Sequence, residues 1–346
     1  SPVEGRTGGP ASRERRGGMK SAGAVVIVRN DDETQDVITM IKNVDTISID
    51  ARPATASLFG QGLAVLAISN GKQSFVFLNP TTKLVKLVLS DLLGKEIITH
   101  DFKRLLHLVS EIEPLVNQFA KTKGIDLMVA SYLTRAGSRN YDVDTVLAEL
   151  FGAGLQNFPV SFDDNRSLKI YGELVAVFVR AGDEAKNRLK KDGMLTLYDE
   201  VEHPTISALF EMEKNGILVD SEALGEMSKT LGRKIMELEK KIWKEAGHEF
   251  NVASPSQLAC VLFDELKLPT KGLKKTQTGI STAASELEKI EDVHPIVLMI
   301  GEYRELAKLK STYVDALPLL TKTDGRVHTS YNQTVTATGR LSSSDP

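Results

Sequence analysis

Between Lys267 and Ser285 the chain carries four lysines, Lys267, Lys271, Lys274 and Lys275, and no acidic residue. Thr276, Thr278, Ser281 and Thr282 are interleaved with them, and Gly272 and Gly279 keep the backbone accessible. Ammonium groups, small hydroxyls and free amides together suit a phosphate backbone. A solvated surface loop has the same composition, and this segment alone leaves both readings open. A second basic group, Arg304, Lys308 and Lys310, stands just before Ser311-Thr312-Tyr313. Arg304 and Lys308 are four apart, so on a helix they share a face. That face is either plain surface or one turned toward a polyanion. The third pattern runs from Asn332 and Gln333 through Thr338 and Arg340 to Ser343, dense in hydroxyls and amides around one arginine. Such side chains suit the minor groove, where acceptors occupy similar places for every base pair. A polar hairpin is the other reading.

These groups need elements to hold them. Asp220 is a plausible N-cap, and Leu224, Met227, Leu231, Ile235, Leu238 and Ile242 then recur every three or four residues until Gly247. The spacing predicts one amphipathic helix of about 25 residues, about 38 Å long. Ser254-Pro255-Ser256-Gln257 reads as a capping box opening a second helix that runs to about Leu266. Cys260 falls on the apolar side of that helix and is expected in the core. Pro295 opens a third helix, to about Leu317, and Val327, Thr329 and Tyr331 alternate like a strand. Trp243, near the end of the long helix, is expected to pack rather than to stack on a base.

The region from Ala24 to Asp192 has a different texture. Ala24–Val28, the Ile47/Ile49 alternation, Leu63–Ile68 and Phe75–Leu78 are strand candidates bounded by Gly62, Asn70, Gly71 and Pro80. Phe102–Ser110 and Asp144–Phe151 are helical candidates, so the region reads as an α/β domain. Residues 1–22 are rich in Gly, Ser, Pro and Arg and read as a tail or linker.

Composition sets outer limits. The 346 residues suggest two or three domains, with 41% hydrophobic and 26% charged residues. The net charge of −3 carries no whole-chain nucleic-acid signal, so the argument rests on local charge. Cys260 is the one cysteine, which excludes an internal disulfide and fits a reducing, cytoplasmic setting. No apolar run reaches the ~18 residues of a spanning helix, so no membrane role is expected. The six histidines are scattered without ligand spacing.

Taken in order, the runs FNVASPSQL, TGISTAASELEKI, HPIVLMIGEYRELAKLKSTYVDALP and GRVHTSYNQTVTATGRLSSSDP resemble family A DNA polymerases of bacteria. LYDEVEHPTISALFEMEKNGILVD resembles the segment leading into that family's thumb. The resemblance extends, more weakly, over the region before Leu197. It implies a ribonuclease-H-like 3′–5′ exonuclease-type α/β domain at 24–195, a mainly helical thumb with its palm entry at 196–320, and the first strands of an α+β palm at 321–346, after a tail at 1–23. It also implies roles. Asn251, Ser254 and the lysine turn, with Arg304, Lys308, Ser311 and Thr312, would hold the primer–template backbone. Asn332, Gln333, Thr338 and Arg340 would lie in the minor groove near the primer end. The expected partners are primer–template DNA, a fingers and palm portion as continuation or second chain, and a dNTP bound through that portion.

The family's nucleotide transfer uses Mg2+ ions on palm aspartates whose motifs are not in this sequence. The chain alone is therefore expected to hold DNA without copying it, and no metal is expected in it. Proofreading members hold two metals with four carboxylates, the first pair as Asp-x-Glu. The matching place reads Asp50-Ala51-Arg52, with a cation where the glutamate would be. The second motif, around Thr99–Leu106, puts its aspartate position at Leu105, with Asp101 out of register. The third, Tyr-x-x-x-Asp, reads Tyr171 to Val175, and Asp126 matches the remaining carboxylate-bearing helix. The resemblance thus implies an inactive exonuclease-type domain kept as a scaffold. A stand-alone DNA-binding module and a residual exonuclease are the alternatives.

Overall fold

The structure, a computed structural model, describes residues 23–29, 34–53, 63–152, 162, 164–277 and 279–345. Thr278 and the tail at 1–22 lie outside the described residues.

A six-stranded mixed sheet comes first, formed by β1 (Ala24–Val28), β2 (Thr46–Pro53), β3 (Leu63–Ser69), β4 (Gln73–Leu78), β5 (Glu96–Thr99) and β6 (Gly124–Asp126) in the order β1-β4-β3-β2-β5-β6. β2, β3 and β4 pair antiparallel, while β5 and β6 run parallel to β2. The helices between and after them are α1 (Thr34–Lys42), α2 (Thr82–Leu92), α3 (Phe102–Leu108), α4 (Leu115–Phe119), α5 (Leu127–Thr134), α6 (Val143–Phe151) and α7 (Asn165–Lys191). Short polar side chains start many of them: Thr81, Asp101, Asp126, Asp142 and Asp164 each accept a first-turn N–H.

α7 lies unusually close to the sheet because the sequence keeps the contact small. Ser48 and Ser74 on the strands donate to the carbonyls of Val175 (2.6 Å) and Gly172 (2.8 Å). A Cβ on Gly172 would stand 2.5 Å from Val25 Cγ1 and 2.9 Å from Val76 Cγ2. Gly172→Ala is therefore expected to destabilise this layer by about 1–3 kcal/mol through overpacking. Urea unfolding followed by far-UV circular dichroism checks it, and an unchanged midpoint would mean that the contact relaxes freely.

α8 (Leu195–Leu197) leads through a π-helical turn, Tyr198–Glu202, into α9 (His203–Asn215). Tyr198, Ile206 and Phe210 are buried in the same core as the sheet. β7 (Ile217–Leu218) then precedes α10 (Ser221–Ala246), whose N-cap is Asp220 and whose left-handed C-cap is Gly247 at φ +84°, as the spacing predicts. The apolar stripe is buried at Leu231, Leu238 and Ile242, while Met227 is exposed. α11 (Pro255–Ala259) is followed by a π-helical turn over Cys260–Glu265. Leu258, Val261 and Leu262 form the buried side, and Cys260 faces away from them, exposed rather than in the core, its Sγ 3.7 Å from Glu265 Oε1. Trp243 packs on the core of Ile242, Leu258, Leu262, Ile296 and Ile300 and donates to the Phe250 carbonyl at 2.7 Å.

β8 (Lys275–Thr276) and β9 (Gly279–Ile280) form a short ladder, followed by α12 (Ala284–Leu287) and α13 (Pro295–Leu309). The third helix leaves α geometry at Lys310 for a π-helical turn, well before Leu317. The alternation read over 327–331 is divided between two strands. β10 (Arg326–Val327) pairs with β7, whereas β11 (Ser330–Asn332) pairs antiparallel with β12 (Ser342–Ser344).

By compactness the chain forms two units. Of the described residues, one holds those within 23–215 and 330–345, the other those within 216–329. α9 and the terminal hairpin thus belong with the mixed-sheet unit.

Candidate nucleic-acid interface

In the helical unit the lysine turn is an exposed β-ladder. Lys275 pairs with Ile280 and Thr276 with Gly279, and the Thr276 hydroxyl donates to the Gly279 carbonyl at 3.0 Å. Lys271, Lys274, Lys275 and Thr276 face solvent. The base of the turn is tied down by Glu286, a buried carboxylate next to the acid-free segment. It accepts from Lys274 N at 2.9 Å and from Lys289 Nζ at 2.7 Å. Those donors, Lys289 first, hold its pKa below the usual carboxylate value.

Arg304 and Thr282 were expected to meet phosphates, but they meet each other. The Arg304 guanidinium donates to the Thr282 carbonyl and, at 3.2 Å, to its hydroxyl. Thr282 is buried, and burial lowers the pKa of Arg304. The pair fixes the turn to α13. Asn251 and Ser254 also have local duties. Asn251 Oδ1 accepts from Ala253 N at 3.0 Å, and Ser254 caps α11. Gln257 does not close the expected box; its side chain accepts from Asn251 N at 2.8 Å. Lys308, Ser311 and Thr312 are exposed, with the Ser311 hydroxyl on the Ala307 carbonyl at 2.8 Å.

In the mixed-sheet unit, residues 333–341 form the loop of the β11–β12 hairpin. The two readings of this segment are compatible, because the hairpin is polar and presents Thr338 and Arg340 to solvent. Asn332 Nδ2 donates to Ser344 Oγ at 3.1 Å. Gln333 is engaged: its Nε2 donates to Glu202 at the carbonyl (3.0 Å) and the carboxylate (2.8 Å). Tyr132 donates its hydroxyl to the Thr336 carbonyl at 2.7 Å. Both main-chain polar groups of Tyr331 are held. Its N–H donates to Glu213 Oε1 at 2.6 Å, and its carbonyl accepts from Lys103. Lys103 also pairs with Glu213, and His107 lies 2.6 Å from Glu213 Oε2. Burial would raise the pKa of Glu213, but His107, Lys103 and the Tyr331 amide together hold it below the usual value. A cleft of about 160 Å³ opens beside this cluster, lined by Lys103, Glu213, Asn332 and Gln333 among others. None of these anchors was singled out from sequence for this role. Sequence carried no clear signal, because Glu213 stands beside Glu211 and Lys214 in α9.

The carboxylate positions of the same unit are occupied differently. Asp50, on β2, is fully buried and receives Arg52 Nη2 at 2.9 Å, Arg104 Nη2 at 2.9 Å and the Tyr171 hydroxyl at 2.8 Å. Burial would lower the Arg104 pKa, but Asp50 and then Asp101 more than offset it, and the net shift is upward. Burial and Asp50 both raise the Tyr171 hydroxyl well above its usual pKa. Leu105 is a core residue, because α3 turns that position inward. The carboxylate that approaches the cluster is Asp101, four residues earlier, with Oδ2 at 3.9 Å from Arg104 Nε. Val175 is fully buried on α7 and offers no ligand atom. Asp126 is buried, with its oxygens on the amides of Phe102 (2.8 Å) and Met128 (2.9 Å). Burial and then Asp101 raise its pKa. Among the described residues, no three His, Cys, Asp or Glu side chains are grouped so as to hold a metal ion. None of the described helices is long and apolar enough to cross a membrane.

Known proteins share this sequence and fold. A sequence model of DNA polymerase family A matches residues 221–346. The DNA polymerase I of Caldicellulosiruptor bescii is 35% identical over 306 residues, 88% of this chain and 34% of that protein. That of Bacillus subtilis is 37% identical over 233 residues, 64% of this chain and 26% of the relative. The thermostable DNA polymerase I of Thermus aquaticus is 46% identical over 177 residues, 51% and 21% of the two lengths. The chain thus spans about a third or less of these curated relatives. Among solved structures, the POL domain of Pol1 from M. smegmatis, in complex with DNA primer-template and dNTP, matches with a TM-score of 0.74 at 25% identity. The match covers 93% of this chain and 55% of that one. With motifs, family model and fold in agreement, the chain belongs to DNA polymerase family A.

Proposed function

We propose that this chain is the DNA-gripping part of a DNA-directed DNA polymerase. The helical unit is its thumb, the hairpin is an early palm element near the primer end, and the mixed-sheet unit is an inactive exonuclease-type scaffold. The single observation behind the grip is the solvent-facing ladder of Lys274, Lys275 and Thr276, held at its base by Glu286. Cations and hydroxyls on a braced turn suit phosphates of any sequence. Nucleotidyl transfer in this reading belongs to palm and fingers residues outside this sequence. There Mg2+ supplies stabilisation of the attacking and leaving oxygens.

The exonuclease-type reading of the mixed-sheet unit draws on its antiparallel β2–β3–β4 followed by parallel β5 and β6, and on Asp50, Asp101 and Asp126 at its centre. The residues present do not fit a pair of divalent ions. Two guanidinium groups already sit on Asp50, and Val175 gives no oxygen. Divalent hard cations need oxygen-rich shells, and fixed cations at 2.9 Å from Asp50 would repel them.

The test is a binding titration with unrelated primer–template sequences at several salt concentrations, with nucleotide release measured in Mg2+ or Mn2+. Expected are similar affinities for all sequences, a steep salt dependence and no release. Strong sequence preference would overturn the thumb reading, and metal-dependent release would overturn the inactive scaffold.

A further inference from the structure

The mixed-sheet unit holds the hairpin by charged groups that a mere packing contact would not need. Lys103 and His107 lie one helical turn apart on α3, so both reach the same side. Their shared partner, Glu213, is 2% exposed and projects from α9. A carboxylate buried to that degree is tolerated only when paired and hydrogen-bonded. Three donors meet this demand, and one is the main-chain N–H of Tyr331. Lys103 also donates to the Tyr331 carbonyl, so both main-chain polar groups of that residue are held. The clamped peptide immediately precedes Asn332 and Gln333.

We infer that Lys103 and Glu213 are positioning residues for DNA contact: they fix the Tyr331 peptide, and so set where Asn332 and Gln333 stand at the primer end. A domain without nuclease chemistry thereby keeps a part in polymerisation. The hairpin cannot shift along its length without breaking two charge-assisted hydrogen bonds, roughly twice as strong as neutral ones. Further along, Tyr132 on the Thr336 carbonyl (2.7 Å) and Glu202 on Gln333 keep the loop from swinging. The inference rests on the polymerase reading above.

The test compares the wild-type chain with Lys103→Met and Lys103→Arg; in Lys103→Met the buried Glu213 keeps His107 and the Tyr331 amide as partners. Hydrogen exchange is read at amides 331–336, and affinity is read for a recessed 3′ primer end against a blunt duplex of equal length. In Lys103→Met, exchange at the hairpin should rise and primer-end preference should fall, each by about tenfold, the effect of losing one hydrogen bond to a charged group. The sheet amides of β2–β5 should not change, and Lys103→Arg should restore both readouts. Unchanged hairpin exchange would overturn the clamp whether or not DNA binds. Faster exchange with unchanged primer-end preference would overturn the positioning role. A wild-type chain that binds neither duplex would remove the polymerase reading, and the inference with it.

Discussion

Asp50→Ala should destabilise the mixed-sheet unit by about 3 kcal/mol, the low end for breaking a buried ion pair. On the exonuclease-type reading proposed above, the matching position of a working nuclease would hold metal, and its loss would be felt in activity. Here it anchors Arg52, Arg104 and Tyr171. Removing it leaves two guanidinium groups close together, largely out of water, without the carboxylate that offsets them. Asp101 is at 3.9 Å from Arg104, on its other edge, and replaces little of that contact. Asp50→Asn keeps the shape and part of the hydrogen bonding, so it should fall between wild type and alanine. Urea unfolding followed by the sheet's circular dichroism checks the order. Equal stability of all three proteins would mean that Asp50 is not a structural anchor.

Replacing Lys274 and Lys275 together with alanine should lower duplex affinity on the order of tenfold and flatten its salt dependence. Each phosphate neutralised contributes about 0.9 to the slope of log K against log salt, so two lysines lost should reduce it by about 1.8. Both side chains are exposed, while the fold of the turn rests on the Lys274 main chain and on Glu286. The double variant should therefore remain folded. The loss should be uniform across sequences, since phosphate contacts position without reading bases. Titrations at four salt concentrations on two unrelated duplexes settle the point. A change in sequence preference with an unaltered slope would show that these lysines do not meet phosphates.

What could be read from sequence was what local rules control. The bounds of α10 follow from Asp220 and Gly247, and β1 from a five-residue apolar run. Side-chain partners set by distant parts of the chain were not legible. Arg304 looks like a surface cation because its partner, Thr282, is 22 residues away. Gln333 looks free because Glu202 is 131 residues away. Cys260 was misplaced because it lies two residues after the buried Leu258, about 200° around the helix, and so faces away from Val261 and Leu262. The role of Asp101 as the cap of α3, its side chain accepting from Arg104 N, was likewise not read from spacing.

Trp243 is the one tryptophan of the chain, seated on the core of the helical unit with its indole N–H bonded to Phe250. Intrinsic indole fluorescence is therefore a private reporter of that unit. An emission transition that stays in place while the sheet's dichroism shifts in Asp50→Ala would mean two separate cooperative transitions. Coincident movement of both would mean that the units melt together, and that damage at the Asp50 arginine cluster reaches the helical unit as lost stability.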